Sequence, residues 1–173
     1  YAVNGDTFGQ INSQTGRFSP TGIIGQASGD YGTVILNNIE GLTFDLTNKI
    51  MYATHRIESG ENCNNIPNSN DLLFQINIVT GQVIVDTMLD SKGEPADYSV
   101  IGEIIATSDF YCLAYDVNDI AYNIYTGDLY ALQNNDTDFG VTIINQIDGT
   151  VESYIYDLLS DDIVGLGFNS FGE

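Results

Sequence analysis

Basic residues are the scarcest class of side chain in this sequence. Its 173 residues include 24 Asp and Glu but only four Lys and Arg, so the formal net charge is −20. Nucleic acids and anionic membrane surfaces are bound through clustered Lys and Arg, and the composition excludes both as partners. A surface this acidic is typical of a protein that stays soluble in a salty medium. The sharper alternative is that the charge binds divalent cations or a cationic partner.

Long apolar runs are also missing. No stretch of about 18 apolar residues occurs, which excludes a membrane-spanning helix. Apolar residues still make up 43% of the chain, so we expect one folded domain over residues 1–173. Few Lys, many Asn, Gly, Thr and Tyr, and two Cys indicate a secreted protein, extracellular or at the cell surface.

The motifs of common enzymes are absent as well. His55 is the only histidine, and the sequence has no glycine-rich phosphate loop, His-Glu-x-x-His or Cys-x-x-Cys motif. Catalysis by a Ser-His-Asp or Cys-His set would have to use His55, and a lone histidine beside Arg56 is more often structural. Asp161 and Asp162 resemble a glycosidase pair, but 24 acidic residues produce such pairs by chance. We therefore expect no enzymatic activity.

What the sequence has instead is repetition. The phrase Ile-Asn-x-x-Thr-Gly occupies residues 11–16 and 76–81 and returns as Ile-Asn-Gln-Ile-Asp-Gly at residues 144–149. A Gly-Leu-Thr-Phe-Asp phrase at residues 41–45 has relatives at residues 112–116 and 165–169, and a Tyr-Ala phrase lies at residues 1–2, 52–53 and 130–131. Self-similarity of this kind sets the architecture of a chain.

The sequence pattern of each repeat predicts four strands, because apolar and small residues alternate and helical periodicity is nearly absent. The predicted strands are residues 41–45, 112–116 and 165–169 (first), 50–54 and 129–132 (second), 72–78 and 141–147 (third), and 82–88 and 150–156 (fourth). Asn12, Asn77 and Asn145 are expected to cap the turn between third and fourth strands, each with a glycine at positive φ four residues later. Residues 56–70, 91–98 and 117–123 are predicted to be exposed loops.

Four short antiparallel strands per repeat, with a turn about every 10 residues, are typical of a propeller blade. Through the phrases quoted above, the whole chain resembles secreted bacterial β-propeller repeat proteins of the Leu-Tyr-Ala and Asn-x-x-Thr-Gly type. The resemblance implies an all-β, propeller-like fold of three repeats with about four antiparallel strands each. The repeats are longer than a usual blade, and three blades are fewer than the usual ~4–8. A ring of two chains, a longer parent protein or an open array would each account for this.

Two cysteines in an exported chain are most simply one disulfide, here between Cys63 and Cys112. The bond would close a segment of 49 residues (112 − 63) and contribute roughly 4 kcal/mol by the chain-entropy model. The alternative is two unrelated thiols, with Cys112 in the position that Gly takes in the other repeats.

A calcium site is one interpretation of residues 134–140, where Asn134, Asp136 and Asp138 place side-chain oxygens at alternate positions. The segment departs from an EF-hand, because its Gly comes one position late and no Glu stands at the bidentate position. Aspartates at a similar place in the other repeats, Asp6 and Asp71, favour the alternative of caps on the turn before the third strand. No other cofactor is expected.

The expected function is a non-enzymatic extracellular module of a fibre, surface layer or adhesin. Residues 164–169 read as a first strand without a second, and residues 1–4 as a second without a first. Unpaired edges favour pairing with each other, so we expect self-association by strand sharing, or continuation into a larger chain. One alternative is a propeller lyase or hydrolase acting on polysaccharide. Another is a calcium-dependent glycan-binding module, in which Tyr98, Tyr122 and Tyr125 stack on sugars.

Overall fold

The computed structural model is all-β and antiparallel, as the alternating pattern predicts. Its described residues form thirteen strands and no helix, and therefore no helix able to cross a membrane. The structure describes residues 1–29, 32–56, 71–84, 102–103, 116–135, 138–147, 149, 151–158 and 165–168.

The strands are arranged in three larger sheets and one hairpin. Sheet I contains β1 (Ala2–Asn4), β2 (Thr7–Ile11) and β3 (Phe18–Ile23). The hairpin consists of β4 (Gln26–Gly29) and β5 (Gly32–Ile35). Sheet II contains β6 (Ile39–Asp45), β7 (Ile50–His55), β8 (Leu72–Ile76) and β9 (Gly102–Glu103). Sheet III contains β10 (Asp116–Tyr122), β11 (Leu129–Asn135), β12 (Asp138–Ile144) and β13 (Val151–Leu158).

The prediction of twelve strands in three equivalent sheets is therefore correct only in outline. The β4–β5 hairpin is additional, and sheet I has no first strand among the described residues. Residues 165–168, predicted to be part of a strand, pair with no strand described here. Of the predicted fourth strand at residues 82–88, the structure describes a single bridge, between Ile76 and Val83.

The strand pairing shows which residues in the different sheets correspond. Tyr52 on β7 lies opposite Thr43 and Gln75, and Tyr130 on β11 lies opposite Ala121 and Ile143. The alanine after each tyrosine also has matching partners, and Ala2 on β1 pairs with Gly9 in the same way. The second strands β1, β7 and β11 therefore correspond, and so do the third strands β2, β8 and β12.

This alignment corrects one predicted strand and one predicted loop. Phe44 pairs with Met51, and Tyr122 pairs with Leu129, so Tyr122 is the counterpart of Phe44. The first strand of sheet III is thus Asp116–Tyr122, most of which was predicted to be an exposed loop at residues 117–123. Residues 112–115 of the predicted first strand lie outside the described residues.

The asparagine turns form as predicted. The side-chain oxygens of Asn12, Asn77 and Asn145 each accept a hydrogen bond, at 2.8–2.9 Å, from the backbone N–H two residues later. Gly16, Gly81 and Gly149 have φ of 68°, 77° and 76°, and each donates its N–H to the carbonyl oxygen of the turn asparagine. A side chain that satisfies turn amides locally fixes the hairpin without tertiary help.

A side-chain cap of the same kind closes the turn between first and second strands, although it was not predicted from the sequence. Asp45 Oδ1 accepts hydrogen bonds from the backbone of Thr47 and Asn48 at 2.7 and 3.0 Å. Asn123 Oδ1 accepts equivalent bonds from the two corresponding residues of sheet III. At the glycine position of these turns sheet III has Gly127, with φ of 80°, whereas sheet II has Lys49, with φ of 59°.

Replacing Lys49 with Gly should therefore stabilise the protein by about 0.5–1 kcal/mol. A left-handed backbone is unfavourable for a residue with a Cβ, and this outweighs the entropy that glycine loses on folding. The matched change Gly127→Ala should act in the opposite direction. Urea unfolding of both variants tests this, and a destabilised Lys49→Gly protein would contradict it.

The apolar core lies between the sheets. One cluster joins sheet I to sheet II through Phe8, Met51, Ala53, Phe74 and Ile76, together with Ile24 and Leu36. The other joins sheet II to sheet III through residues of both, including Tyr52, Leu73, Ile120, Leu129 and Ile144. The sheets therefore stack in chain order, and each interface is built from corresponding strands.

The shared register of the first strands predicts that their apolar residues are buried on one sheet face, but those that the structure describes are only half-buried. Leu42 and Phe44 are half-buried and pack against the edge of the first cluster. Leu166 and Phe168 are also half-buried. Leu113 and Tyr115 lie outside the described residues.

Candidate functional site: an open sheet edge and an inter-sheet polar cluster

The predicted ligand and disulfide residues lie largely outside what the structure describes. Asp136, Cys63 and Cys112 are outside it, and of Asn134 and Asp138 only the backbone is described, in the paired strands β11 and β12. The calcium site and the disulfide therefore stay predictions. In the described part of the chain, no group of three or more His, Cys, Asp or Glu is placed to hold a metal ion.

The tyrosines proposed to stack on sugars differ in position. Tyr122 is half-buried on β10, and its ring packs against the cluster between sheets II and III. Tyr125 lies in the following turn and is 61% exposed. Tyr98 lies outside the described residues.

A recurring aromatic contact links each sheet to the next first strand. The ring of Tyr1 lies 5.8 Å from that of Phe44, and the ring of Tyr130 lies 4.9 Å from that of Phe168. Tyr52 and Tyr122 occupy the corresponding positions and pack in one cluster. Residues 165–168 thus contact sheet III in the way that the first strand of a following sheet would.

The first strands are also joined through polar groups. The backbone N–H of Tyr122 donates to Thr43 Oγ1 at 3.0 Å, which holds β10 beside β6. The N–H of Leu166 donates to Asp119 Oδ2 at 2.8 Å, which holds residues 165–168 beside β10. Among the described residues, β1 pairs with β2 and has no neighbour on its other side. We call that side of β1 the open edge. Such edges pair readily with another strand.

Four polar side chains, Glu40, Arg56, Asp71 and Asn118, meet where β6, β8 and β10 begin; we call them the inter-sheet cluster. Arg56 Nη1 lies 3.0 Å from Glu40 Oε1, and Arg56 Nη2 donates to Asn118 Oδ1 at 3.4 Å. Asp71 is 2% exposed, and its Oδ2 accepts a 2.7 Å hydrogen bond from the N–H of Val117. The cluster therefore ties sheet II to the first strand of sheet III.

The electrostatics of this cluster centre on Glu40. Burial raises the pKa of the Glu40 carboxyl, the positive charge of Arg56 opposes that rise, and the charge of Asp71 adds to it. Glu40 Oε2 is buried without a hydrogen-bond partner in the described part of the protein. A carboxyl group in this setting binds its proton more tightly than a solvated one.

His55 lies beside the cluster and is 4% exposed. Its Nδ1 accepts a 3.3 Å hydrogen bond from the N–H of Asn38. Burial lowers the pKa of His55, so the neutral ring is favoured in the folded protein. These contacts assign His55 a structural role at the end of β7.

The aspartates interpreted as turn caps have two different roles. Asp6 Oδ1 accepts the hydroxyl hydrogen bond of Thr7 at 3.0 Å, within its own turn. Asp71 extends beyond its turn to sheet III. Counted back from the turn asparagines of β2, β8 and β12, their counterpart in sheet III is Phe139 and not Asp136.

Asp71→Ala should destabilise the protein by about 2 kcal/mol, because it leaves the Val117 amide buried without its charged acceptor. Asp71→Asn keeps an acceptor oxygen and should lose well under half as much. Thermal and urea unfolding of both variants measure the difference. Equal losses would mean that the hydrogen bond to Val117 is not what Asp71 contributes.

The lowered pKa of His55 predicts that the stability of the protein depends on pH. Because its pKa is lowered in the folded state, the unfolded chain takes up the proton first. The free energy of unfolding should fall as the pH drops below about 6.5 toward the folded-state pKa. The raised pKa of Glu40 acts in the opposite sense, with stability lost as pH rises.

His55→Gln keeps Glu40 and removes the only histidine, so the difference between wild type and variant isolates His55. Wild type should lose more stability than His55→Gln between about pH 7.5 and 5.5. Parallel pH profiles of the two proteins would show that the pKa of His55 is the same in the folded and unfolded states.

No local pattern indicated the inter-sheet cluster, because Glu40, Arg56 and Asn118 are far apart along the chain. The one available clue was Arg56, a rare basic residue at the start of a long insertion.

Comparison of the chain with protein-family models, curated proteins and solved structures returns no match. The arrangement itself can do two things: hold stacked sheets together, and accept a strand at the open edge of β1.

Proposed function

We propose that the protein is a non-enzymatic structural or adhesive module of an extracellular fibre, surface layer or adhesin. It assembles by adding one propeller-like repeat to another, between copies or within a larger chain. The observation that carries the proposal is that β1 has an open edge in the described structure, while residues 165–168, which carry a first-strand phrase, are held against sheet III.

The propeller-like arrangement is supported by how the sheets meet. First strands lie side by side, with Tyr122 bonded to Thr43 and Leu166 bonded to Asp119. Sheets face one another through apolar clusters in chain order. Side-by-side first strands and face-to-face sheets are the contacts by which blades pack around an axis.

The structural role is supported by the use of the polar side chains. Asp45, Asn77 and Asn123 are occupied in turns, and Asp71 is occupied between sheets. Groups bound in this way hold the fold together instead of converging on a substrate. The acidic composition, with a net charge of −20, favours a soluble extracellular surface.

One observation favours the second candidate, an enzyme acting on polysaccharide. Glu40 has a raised pKa and lies close enough to Asp71 to be affected by its charge. A protonated carboxyl group near a second carboxylate is the pair that glycoside hydrolysis uses. The ion pair of Glu40 with Arg56 at 3.0 Å argues against this role, since it favours the ionised form.

Native mass spectrometry of the purified protein, combined with an assay for polysaccharide cleavage, separates the two. The structural module predicts species at multiples of 18.8 kDa that grow with concentration, and no new reducing ends or unsaturated sugars. Cleavage that Glu40→Gln abolishes would establish the enzyme instead. A strictly monomeric, inactive protein would contradict self-assembly.

A further inference from the structure

Three isoleucines at corresponding positions differ in exposure. Ile11, Ile76 and Ile144 each directly precede the turn asparagine at the end of the third strand. Ile76 and Ile144 are 1% exposed, whereas Ile11 is 51% exposed. The residue type and the place in the strand are the same, so the difference lies in what covers each sheet.

The covered isoleucines identify the covering surface. Ile76 packs in a cluster with Phe8 of sheet I, and Ile144 packs in a cluster with Tyr52 and Leu73 of sheet II. We call the side of each sheet that carries this isoleucine its rear face, and the side that carries the tyrosine of the Tyr-Ala phrase its front face. Each covered rear face thus packs on the front face of the preceding sheet.

The rear face of sheet I is the one that no described sheet covers. Ile11 is exposed on it, and Ala2 is only half-buried. The ring of Phe18 lies over Gly9, so close that a Cβ at Gly9 would be 2.7 Å from it. Gly9, the ring of Phe18 and the exposed side chain of Ile11 therefore form a shallow apolar surface on this face.

The complementary surface is at the other end of the stack. The front face of sheet III carries Tyr130, Val141 and Ile143, all half-buried, around the fully buried Leu132. It is the counterpart of the sheet II face that covers Ile144. The front faces of sheets I and II thus already cover the rear faces of sheets II and III within this chain.

We propose that the rear face of sheet I docks on the front face of sheet III of a second copy of this chain. The docking repeats the geometry of the two internal interfaces and places Ile11 where Ile76 and Ile144 lie in theirs. It deepens the proposed function, on which it rests, by naming the surfaces that assemble.

Strand register supports this occupant over an unrelated partner. In sheet II, Leu42 pairs with Ala53 and Thr43 pairs with Tyr52. The same register between copies pairs Leu166 with Ala2 and Gly167 with Tyr1. One docked position therefore covers the rear face of sheet I and fills the open edge of β1 together, and contacts of this head-to-tail kind produce rings or filaments.

The test is sedimentation velocity of the full chain in about 1 M NaCl, where the Debye length of about 3 Å screens the repulsion between acidic copies. Wild type is compared with Ile11→Asp and with Val79→Asp. Val79 is 80% exposed in a turn of the middle sheet, so it controls for the added charge. The dissociation constant should rise about 10-fold or more in Ile11→Asp, from lost apolar burial, and stay unchanged in Val79→Asp.

Each other outcome overturns a distinct claim. If wild type associates and Ile11→Asp associates equally well, the docking face is wrong while self-assembly stands. If Val79→Asp weakens association as much as Ile11→Asp, added charge is the cause and the docking face is again wrong. If wild type stays monomeric at all concentrations, the assembly part of the proposed function fails. Should Ile11→Asp unfold, Ile11→Ser with matched Val79→Ser applies the same criteria.

Discussion

Phe74→Ala should lower the free energy of unfolding by about 3–5 kcal/mol. Phe74 is fully buried on the rear face of sheet II and packs in the cluster with Phe8 of sheet I. The substitution removes apolar burial. It also leaves a cavity between the two sheets, because turns and hydrogen bonds hold each sheet in place. Phe74→Leu leaves a smaller cavity and should cost roughly a third as much.

The control is Leu46→Ala, at a position that is 63% exposed, where we expect a change within about 0.5 kcal/mol. Urea unfolding gives both values, and an unchanged denaturant slope would show that the loss is one of stability. A cost for Phe74→Ala no larger than that of Leu46→Ala would mean that sheets I and II do not pack through this cluster.

Gly22→Ala should destabilise the protein by about 3 kcal/mol, the second largest effect. A Cβ at Gly22 would lie 2.0 Å from the carbonyl oxygen of Thr80, and a backbone atom cannot rotate away as a side chain can. The clash pushes β3 away from the turn after β8. That movement also strains the 2.9 Å hydrogen bond from the N–H of Val83 to the carbonyl of Ile24.

Gly167→Ala is the matched control, because a Cβ there meets nothing within 4 Å and its φ is ordinary. It should leave the thermal midpoint nearly unchanged, while Gly22→Ala lowers it by many degrees. Comparable midpoints for the two variants would show that β3 and the turn at Thr80 are not in close contact.

Local features of the fold could be predicted from the sequence. The turns at Asn12, Asn77 and Asn145 follow from the side-chain chemistry of Asn and from Gly four residues later, and they form without distant contacts. The all-β class follows in the same way from short alternating segments.

The first strand of sheet III was predicted incorrectly because two segments resemble the same phrase. Cys-Leu-Ala-Tyr-Asp at residues 112–116 matches it well, but Asp-Ile-Ala-Tyr-Asn at residues 119–123 is the structural counterpart. Spacing would have decided between them. The tyrosine of the next phrase follows Asp45 by 7 residues (52 − 45) and Asn123 by 7 (130 − 123), but follows Asp116 by 14 (130 − 116).

The inter-sheet cluster and the difference among the isoleucines could not be predicted. Glu40, Arg56 and Asn118 meet only because β10 lies beside β6, and that arrangement depends on packing between sheets. The exposure of Ile11 depends on the absence of a covering sheet in the described structure. Neither property belongs to a local segment, so no local pattern carries it.

Hydrogen exchange of the full chain over a range of concentrations tests assembly through the open edge most directly. Peptides covering β1 and peptides covering residues 165–168 should gain protection together as concentration rises, because a new strand pair satisfies amides of both segments. A peptide from β12, which is paired on both sides in every copy, should show no change. Exchange at β1 and at residues 165–168 that stays fast and independent of concentration would contradict assembly by strand sharing.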